Sequence, residues 1–219
     1  ILISVTGQPD TLNNPDFNQN FAAYVGGLAT LGADAIEIWE GPNSSRHWLG
    51  GQIDPTLYVA LLRDASTAIR SANPDTIIIS AALQPSVGVS NDGQSDTLWN
   101  DDVYRAGMAE GGAAEYIDCI GVHYIQGTAA PDMMTGDERG DAPIYYLPSL
   151  IERVYTAFDR TLPICFTRFG YLSSDGYGEL PINLSWANET TIQNQADWLA
   201  QAVTLNHDSG TISLMMIWN

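Results

Sequence analysis

The residues of this sequence that could do chemistry are few, and they cluster at the ends of apolar runs. Acids dominate the charged set, with 26 Asp and Glu against 8 basic residues, all of them Arg, and three His. There is no G-x-S-x-G elbow and no H-E-x-x-H pair, and His47, His123 and His207 are too scattered to suggest a metal site. Cys119 and Cys165 lack C-x-x-C spacing, which argues against a metal knuckle or a dithiol redox centre and leaves buried free thiols as the expectation. Asp137-Glu138 with Asp141 is an acidic cluster of the kind that can hold calcium, although a solvated loop is the default for such a run. What remains is a set of polar and aromatic groups following apolar residues: Glu40, Gly41 and Asn43 after Ile36 to Trp39, His123-Tyr124 after Ile120 to Val122, Arg168 after Ile164 to Thr167, and Trp218 after Met215 to Ile217.

The elements that position these groups follow from hydrophobic periodicity. Apolar segments rich in β-branched residues run from Leu2 to Thr6, Ala35 to Trp39, Thr76 to Ala81, Ile117 to Tyr124, Pro163 to Phe169 and Ile212 to Trp218. Their apolar residues are nearly continuous, which predicts strands buried on both faces. Helical spacing fills the intervals. Phe21, Tyr24, Val25 and Leu28 make one stripe, and Leu57, Leu61, Ala65, Ala68 and Ile69 make another. That second helix has clear punctuation, because Asp54 can cap it, Pro55 suits its first turn and Asn73-Pro74 stops it. Further helices are expected over Asp101 to Glu110, Leu147 to Phe158 and Thr190 to Leu205, the last with Trp198, Leu199, Ala202 and Val203 as its apolar face.

Alternating strands and helices predict an α/β fold with parallel strands and right-handed crossovers, either an open sheet or a closed barrel. No strand-to-helix junction carries G-x-G-x-x-G or G-x-x-x-x-G-K, the phosphate turns of open nucleotide-binding sheets, so the barrel is favoured. The longer loops, 84–100, 126–145 and 173–189, all follow strand C-terminal ends, the functional side of either architecture.

Several of these segments resemble, in order, those of the large clan of retaining glycoside hydrolases built on (β/α)8 TIM barrels, the xylosidase-like and cellulase-like families. Ile36-Glu37-Ile38-Trp39-Glu40-Gly41-Pro42-Asn43 resembles the fourth-strand motif E-I-W-N-E-P-N. Asp54-Pro55 with Tyr58 and Leu62 looks like the following helix, and Ser71-Ala72-Asn73-Pro74-Asp75 like its stop. Tyr116 to Tyr124 resembles the sixth strand, F-D-x-I-G-V-H-x-Y, one residue shorter before its Tyr. Leu162 to Gly170 resembles the seventh, P-I-W-x-T-E-F-G, and Met216-Ile217-Trp218 the aromatic end of the eighth. The resemblance covers nearly all of residues 1–219, taken as one domain, and implies an incomplete barrel that begins at the third strand. The first two strands and the last helix would come from the rest of a longer chain or from a partner, since a barrel closes only when every strand has two neighbours.

In that clan's reaction one carboxylic acid protonates the leaving oxygen while a second carboxylate, about 5–5.5 Å away, attacks the sugar carbon. The resemblance places the acid/base directly before the Pro of the fourth-strand motif, where this chain has Gly41, and the nucleophile after the Thr of the seventh, where it has Arg168. Neither can serve, because glycine has nothing to titrate and a guanidinium keeps its proton and offers no acceptor lone pair. No catalytic residue is therefore expected. Glu40 is the fallback, together with Asp175, Glu179 or acids outside the sequence. The ligand-binding set that the resemblance implies is Glu40, Asn43, His123, Tyr124, Arg168 and Trp218, with Arg168 and Glu40 forming a charge-assisted pair across the former site. Trp218 reads as a sugar platform and Trp39 as core, while Trp48 and Trp99 are candidates to extend a groove.

Composition bounds the rest. A formal charge of -18 repels polyphosphate, so nucleic acid and anionic membranes are poor partners, and no apolar run reaches the roughly 20 residues of a spanning helix. Abundant Asn, Gln, Ser and Thr suggest an extracellular or cell-surface setting, where Asn43, Asn183 and Asn188 fit the glycosylation triplet. No cofactor or metal is expected. The leading expectation is a degenerate glycosidase that binds carbohydrate or serves as a structural module. The alternatives are an active hydrolase with non-standard carboxylates, and a structural subunit whose cleft is filled.

Overall fold

A computed structural model describes residues 1–87, 89 and 95–218, so the middle of the loop 84–100 lies outside the described residues. The fold is α/β with parallel sheets, and the chain groups into two compact units.

The first unit comprises Ile1–Gly121 and Val154–Pro163. Its strands β1 (Leu2–Val5), β2 (Ala35–Ile38) and β3 (Ile77–Ser80) pair in parallel and in chain order, with Leu2 opposite Ala35 and Ala35 opposite Ile77. Helices α1 (Phe17–Thr30) and α2 (Pro55–Ala72) make the crossovers, and α3 (Asp101–Glu110) follows β3. The punctuation of α2 acts as its residue types dictate: the Asp54 carboxylate accepts from the Thr56 amide at 2.7 Å, and the Asn73 amide reaches back to the Ile69 carbonyl at 2.8 Å. Beyond β3 parallel pairing continues, with Asp118 N–H donating to the Ile78 carbonyl and Ser80 N–H to that of Cys119. Gly121 is a packing requirement there, since a Cβ on it would stand 1.9 Å from the Ser80 carbonyl oxygen.

The second unit comprises Val122–Arg153 and Ile164–Asn219. Strands β4 (Ile120–Tyr124), β5 (Ile164–Phe169) and β6 (Ile212–Ile217) form a sheet in that order, with β5 and β6 parallel. Helix α4 spans Leu147–Ala157 and α5 spans Ile192–Ser209. The Thr191 side chain caps α5 and shares a capping box with Asn194, and Gly210, at φ +67°, ends it four residues beyond the expected Leu205.

Three expectations need correction. Continuous apolarity predicts strands buried on both faces, which holds for β2 but fails for the edge strands β1 and β6; Ile217 on β6 is 51% exposed. Helix stripes read from spacing were rotated at some positions: Tyr24 on α1, Leu57 on α2 and Val203 on α5 are exposed, while Gly26, Ser66 and Asn206 are buried in those helices. Close approach rewards small residues over large ones. At Gly26 a Cβ would already lie 3.3 Å from Ala68. Finally, neither cysteine is a free thiol, because Cys119 and Cys165 are both disulfide-bonded. Sequence spacing carries no signal for disulfide bonding at either position.

Candidate functional site

In the first unit the C-terminal ends of the three strands are held together by the backbone. Trp39 N–H donates to the Val5 carbonyl and Gly41 N–H to that of Ala82, both at 2.8 Å. Trp39 has a left-handed backbone, φ +75°, which a bulky residue adopts only when its surroundings insist. Its buried indole donates to the His47 carbonyl at 2.8 Å and packs among Phe17, Phe21 and Trp48. Trp39 is thus core, as expected. Trp48 is core too and does not extend a groove, lying edge-on to Trp39 and Tyr58. Trp99 is half-buried and lines a surface hollow of about 570 Å³ with Asp54, Val103 and Glu110.

The turn after β2 places the residues singled out by sequence. Glu40 is half-buried beside Gly41, which sits at φ +55°. A Cβ at Gly41 would stand 2.7 Å from Gln84 Cγ and 3.1 Å from His47 Cδ2. The space beside Gly41 is therefore already filled by its neighbours. Asn43 is fully buried, with 0% of its surface exposed. Its amide nitrogen donates to the carbonyls of Gln84, at 2.9 Å, and Trp99, at 3.2 Å, while its oxygen accepts from the Gln84 amide at 2.8 Å. This corrects its assignment as a ligand-binding residue and also removes it as a glycosylation acceptor, for the side chain clamps two loops and presents nothing to solvent. Glu37 was missed. It is buried on β2, accepts from the Ser4 hydroxyl and lies 3.3 Å from the Ala82 amide. Beneath it the Tyr58 hydroxyl bridges the Ile38 carbonyl and the Ala81 amide, and burial above all pushes this phenol far above its usual pKa.

In the second unit the strand ends are likewise joined, since Gly170 N–H donates to the Tyr124 carbonyl and Trp218 N–H to that of Phe169. His123, Arg168 and Trp218 therefore stand at or near the C-terminal ends of three successive strands. His123 and Arg168 are half-buried, and Trp218 is 46% exposed. Tyr124 is buried, not a ligand contact: it stacks on Phe169 at 5.5 Å and donates to the Tyr145 carbonyl at 3.1 Å. Burial, then the neighbouring Tyr171 hydroxyl, raise its pKa well above the ordinary value, so it stays protonated.

A second group of residues lies on the loops after β4 and β5; sequence reasoning read Asp137-Glu138 there as a solvated acidic run and missed Thr128, Arg139, Trp186 and Glu189 beside it. Asp137 is almost sealed from solvent, and its carboxylate is gripped by the Arg139 guanidinium at 2.6 and 2.9 Å and by the Thr128 hydroxyl at 2.7 Å. Burial alone would raise the Asp137 pKa, but the hydrogen bonds from Arg139 and Thr128 outweigh it and hold the carboxyl below its usual value. A carboxylate committed in this way to a guanidinium is not a calcium ligand. The Tyr146 hydroxyl fixes the same turn by accepting from the Asp137 amide and donating to the Gly140 carbonyl, each at 2.9 Å. The Arg139 guanidinium lies 3.9 Å from the Tyr145 ring centre and 4.7 Å from that of Trp186. Trp186 belongs to the 3-10 helix Ile182–Glu189, whose three-residue turn aligns it with Glu189. Asp137, Arg139, Trp186 and Glu189 bound a pocket of about 520 Å³, lined also by Thr128, Gly136, Glu138 and Ser185.

No protein-family model matches the chain, and neither does any curated protein. Solved structures do. Over 98% of its length the chain is similar to a family 39 glycoside hydrolase from the gut symbiont Bacteroides cellulosilyticus WH2, with a TM-score of 0.59 and 16% identity, covering 38% of that protein. Over 99% it is similar to a glucosidase from Croceicoccus marinus, with a TM-score of 0.63 and 13% identity, covering 42% of that chain. Over its full length it is similar to Cel5A of Thermotoga maritima, with a TM-score of 0.52 and 15% identity, covering 64% of that chain. The chain spans less than two thirds of each of these structures. At such identities the likeness is one of fold, and function has to be argued from the site.

Proposed function

We propose that this chain, whose α/β fold is shared with several families of barrel-type glycoside hydrolases, is part of a barrel that has lost hydrolysis and serves as a carbohydrate-binding or structural module. The observation that carries the proposal is the pair of residues at the positions of the expected carboxylates, Gly41 and Arg168. Bond cleavage of the retaining kind needs a proton donor and a nucleophilic oxygen, and neither residue supplies one. The surroundings of Gly41 support a settled loss, since Gln84 and His47 crowd the direction a side chain would take. Exposed side chains on β1 and β6 support an incomplete barrel, whose remaining strands would come from a longer chain or from a partner. Two disulfide-bonded cysteines and a neutral-polar composition support an extracellular or surface setting.

The test is hydrolysis of aryl β-glycosides by this protein beside an Arg168→Glu, Gly41→Glu double variant. The expected result is no turnover above the uncatalysed rate for the unmodified protein, and enzyme-like turnover sinks the proposal. One observation favours a second reading: Glu138 and Glu189 line the same pocket, so they are the carboxylates to which an unorthodox hydrolase would turn. Turnover that disappears in Glu189→Gln would establish that reading in place of the first.

A further inference from the structure

We infer that the pocket between the loops after β4 and β5, and not the former catalytic position, is where this protein binds carbohydrate, and that its ligand is a neutral saccharide. The inference rests on the carbohydrate-binding reading above and names its site. The pocket's volume of about 520 Å³ lies within the range of small-molecule sites and has room for a short oligosaccharide. Its walls are built before any ligand arrives. Asp137, Thr128 and Tyr146 fix the turn that carries Arg139, and the guanidinium lies 3.9 Å from the Tyr145 ring centre and 4.7 Å from that of Trp186. A wall ordered by its own hydrogen bonds loses little entropy on binding.

The exposed chemistry selects the ligand. Asp137 and Arg139 neutralise one another, which leaves Glu138 and Glu189 as net negative charge on the lining. That charge repels phosphates, sulfates and uronic acids. Carboxylates that accept hydrogen bonds, hydroxyl oxygens of Thr128 and Ser185 that accept while their protons go to Asp137 and to the Ile182 carbonyl, and the indole of Trp186 together match the hydroxyls and apolar ring face of an uncharged sugar. A neutral saccharide meets no such conflict.

The experiment is calorimetric titration of the protein with neutral cello-, xylo- and manno-oligosaccharides, and with glucosamine oligomers as a cationic probe. It is run on the unmodified protein, Trp186→Ala, Glu189→Gln and Trp218→Ala, with thermal melting to confirm folding. The expected result is binding of at least one neutral oligosaccharide, weakened at least tenfold by Trp186→Ala and severalfold by Glu189→Gln, but little changed by Trp218→Ala. Should Trp186→Ala fail to fold, the nearly isosteric Glu189→Gln carries the test. Binding that survives both pocket variants but is lost in Trp218→Ala overturns this inference while leaving the carbohydrate-binding reading in place. Binding of the glucosamine oligomers alone overturns the neutral assignment. No binding of any oligosaccharide overturns both the inference and the reading it rests on.

Discussion

A glycine where a family resemblance expects an acid can be a simple deletion or a backbone requirement, and the neighbours of Gly41 decide between these. Its φ of +55° is left-handed, and the side chain of Gln84 fills the direction a Cβ would take. A side chain placed there carries the left-handed penalty of roughly 1–2 kcal/mol and must also displace Gln84. Gly41→Ala is therefore expected to lower stability by at least that amount in urea unfolding, and Gln84→Ala in the same chain should recover the part due to crowding but not the part due to φ. A neutral Gly41→Ala would show that the position is not reserved for glycine. The same scale shows where sequence reading stops. Arg168 and Gly41 stand out in the sequence because the residues around each match the motif that the resemblance rests on. The roles of Asn43 and Tyr124 were not, since a polar side chain looks alike in sequence whether it faces a ligand or spends its hydrogen bonds on the backbone of Gln84, Trp99 or Tyr145.

At the scale of elements, strand and helix boundaries were legible wherever local chemistry punctuates them. Asp54-Pro55 and Asn73-Pro74 bracket α2 at the expected residues, whereas α5 runs past Leu205 to the left-handed Gly210. Helix faces were less legible, because spacing names a stripe while tertiary contact chooses its centre, as the buried Asn206, 3.4 Å from Met215 Sδ, illustrates. The loop after β4 was opaque, since its order comes from one buried ion pair. Asp137 has a folded-state pKa below the ordinary value of about 3.9, so its pair with Arg139 contributes stability at neutral pH. That contribution is complete above the ordinary carboxylate range and disappears as pH falls through the lower folded value. Asp137→Asn should cost about 3 kcal/mol at pH 7, as expected for breaking a largely buried pair. In urea unfolding the gap between variant and native protein should close as pH falls below about 4. A gap that stays constant with pH would remove the ion pair from the account.

At the scale of the whole molecule, the alternation of strands and helices was legible from end to end, but the uneven burial of the strands was not, because apolar content does not reveal whether a neighbouring strand exists. Central β2 is buried along its length, while edge strand β1 is only half-buried at Leu2 and Ile3 and edge strand β6 exposes Met216 and Ile217, with Trp218 exposed just beyond it. Isolated edge strands carry unpaired backbone groups and few covering contacts, so they open at lower free energy than the core. Amide hydrogen exchange on this chain is accordingly expected to be slow in β2 and β5 and fast in β1 and β6. If the incomplete-barrel proposal is right, a longer protein that supplies the absent strands should slow exchange in β1 and β6 to the level of β2, because each outer edge then gains a hydrogen-bonding neighbour. Strong protection of β6 in residues 1–219 alone would contradict this, since an edge already protected would have no need of the strands that the barrel is proposed to lack.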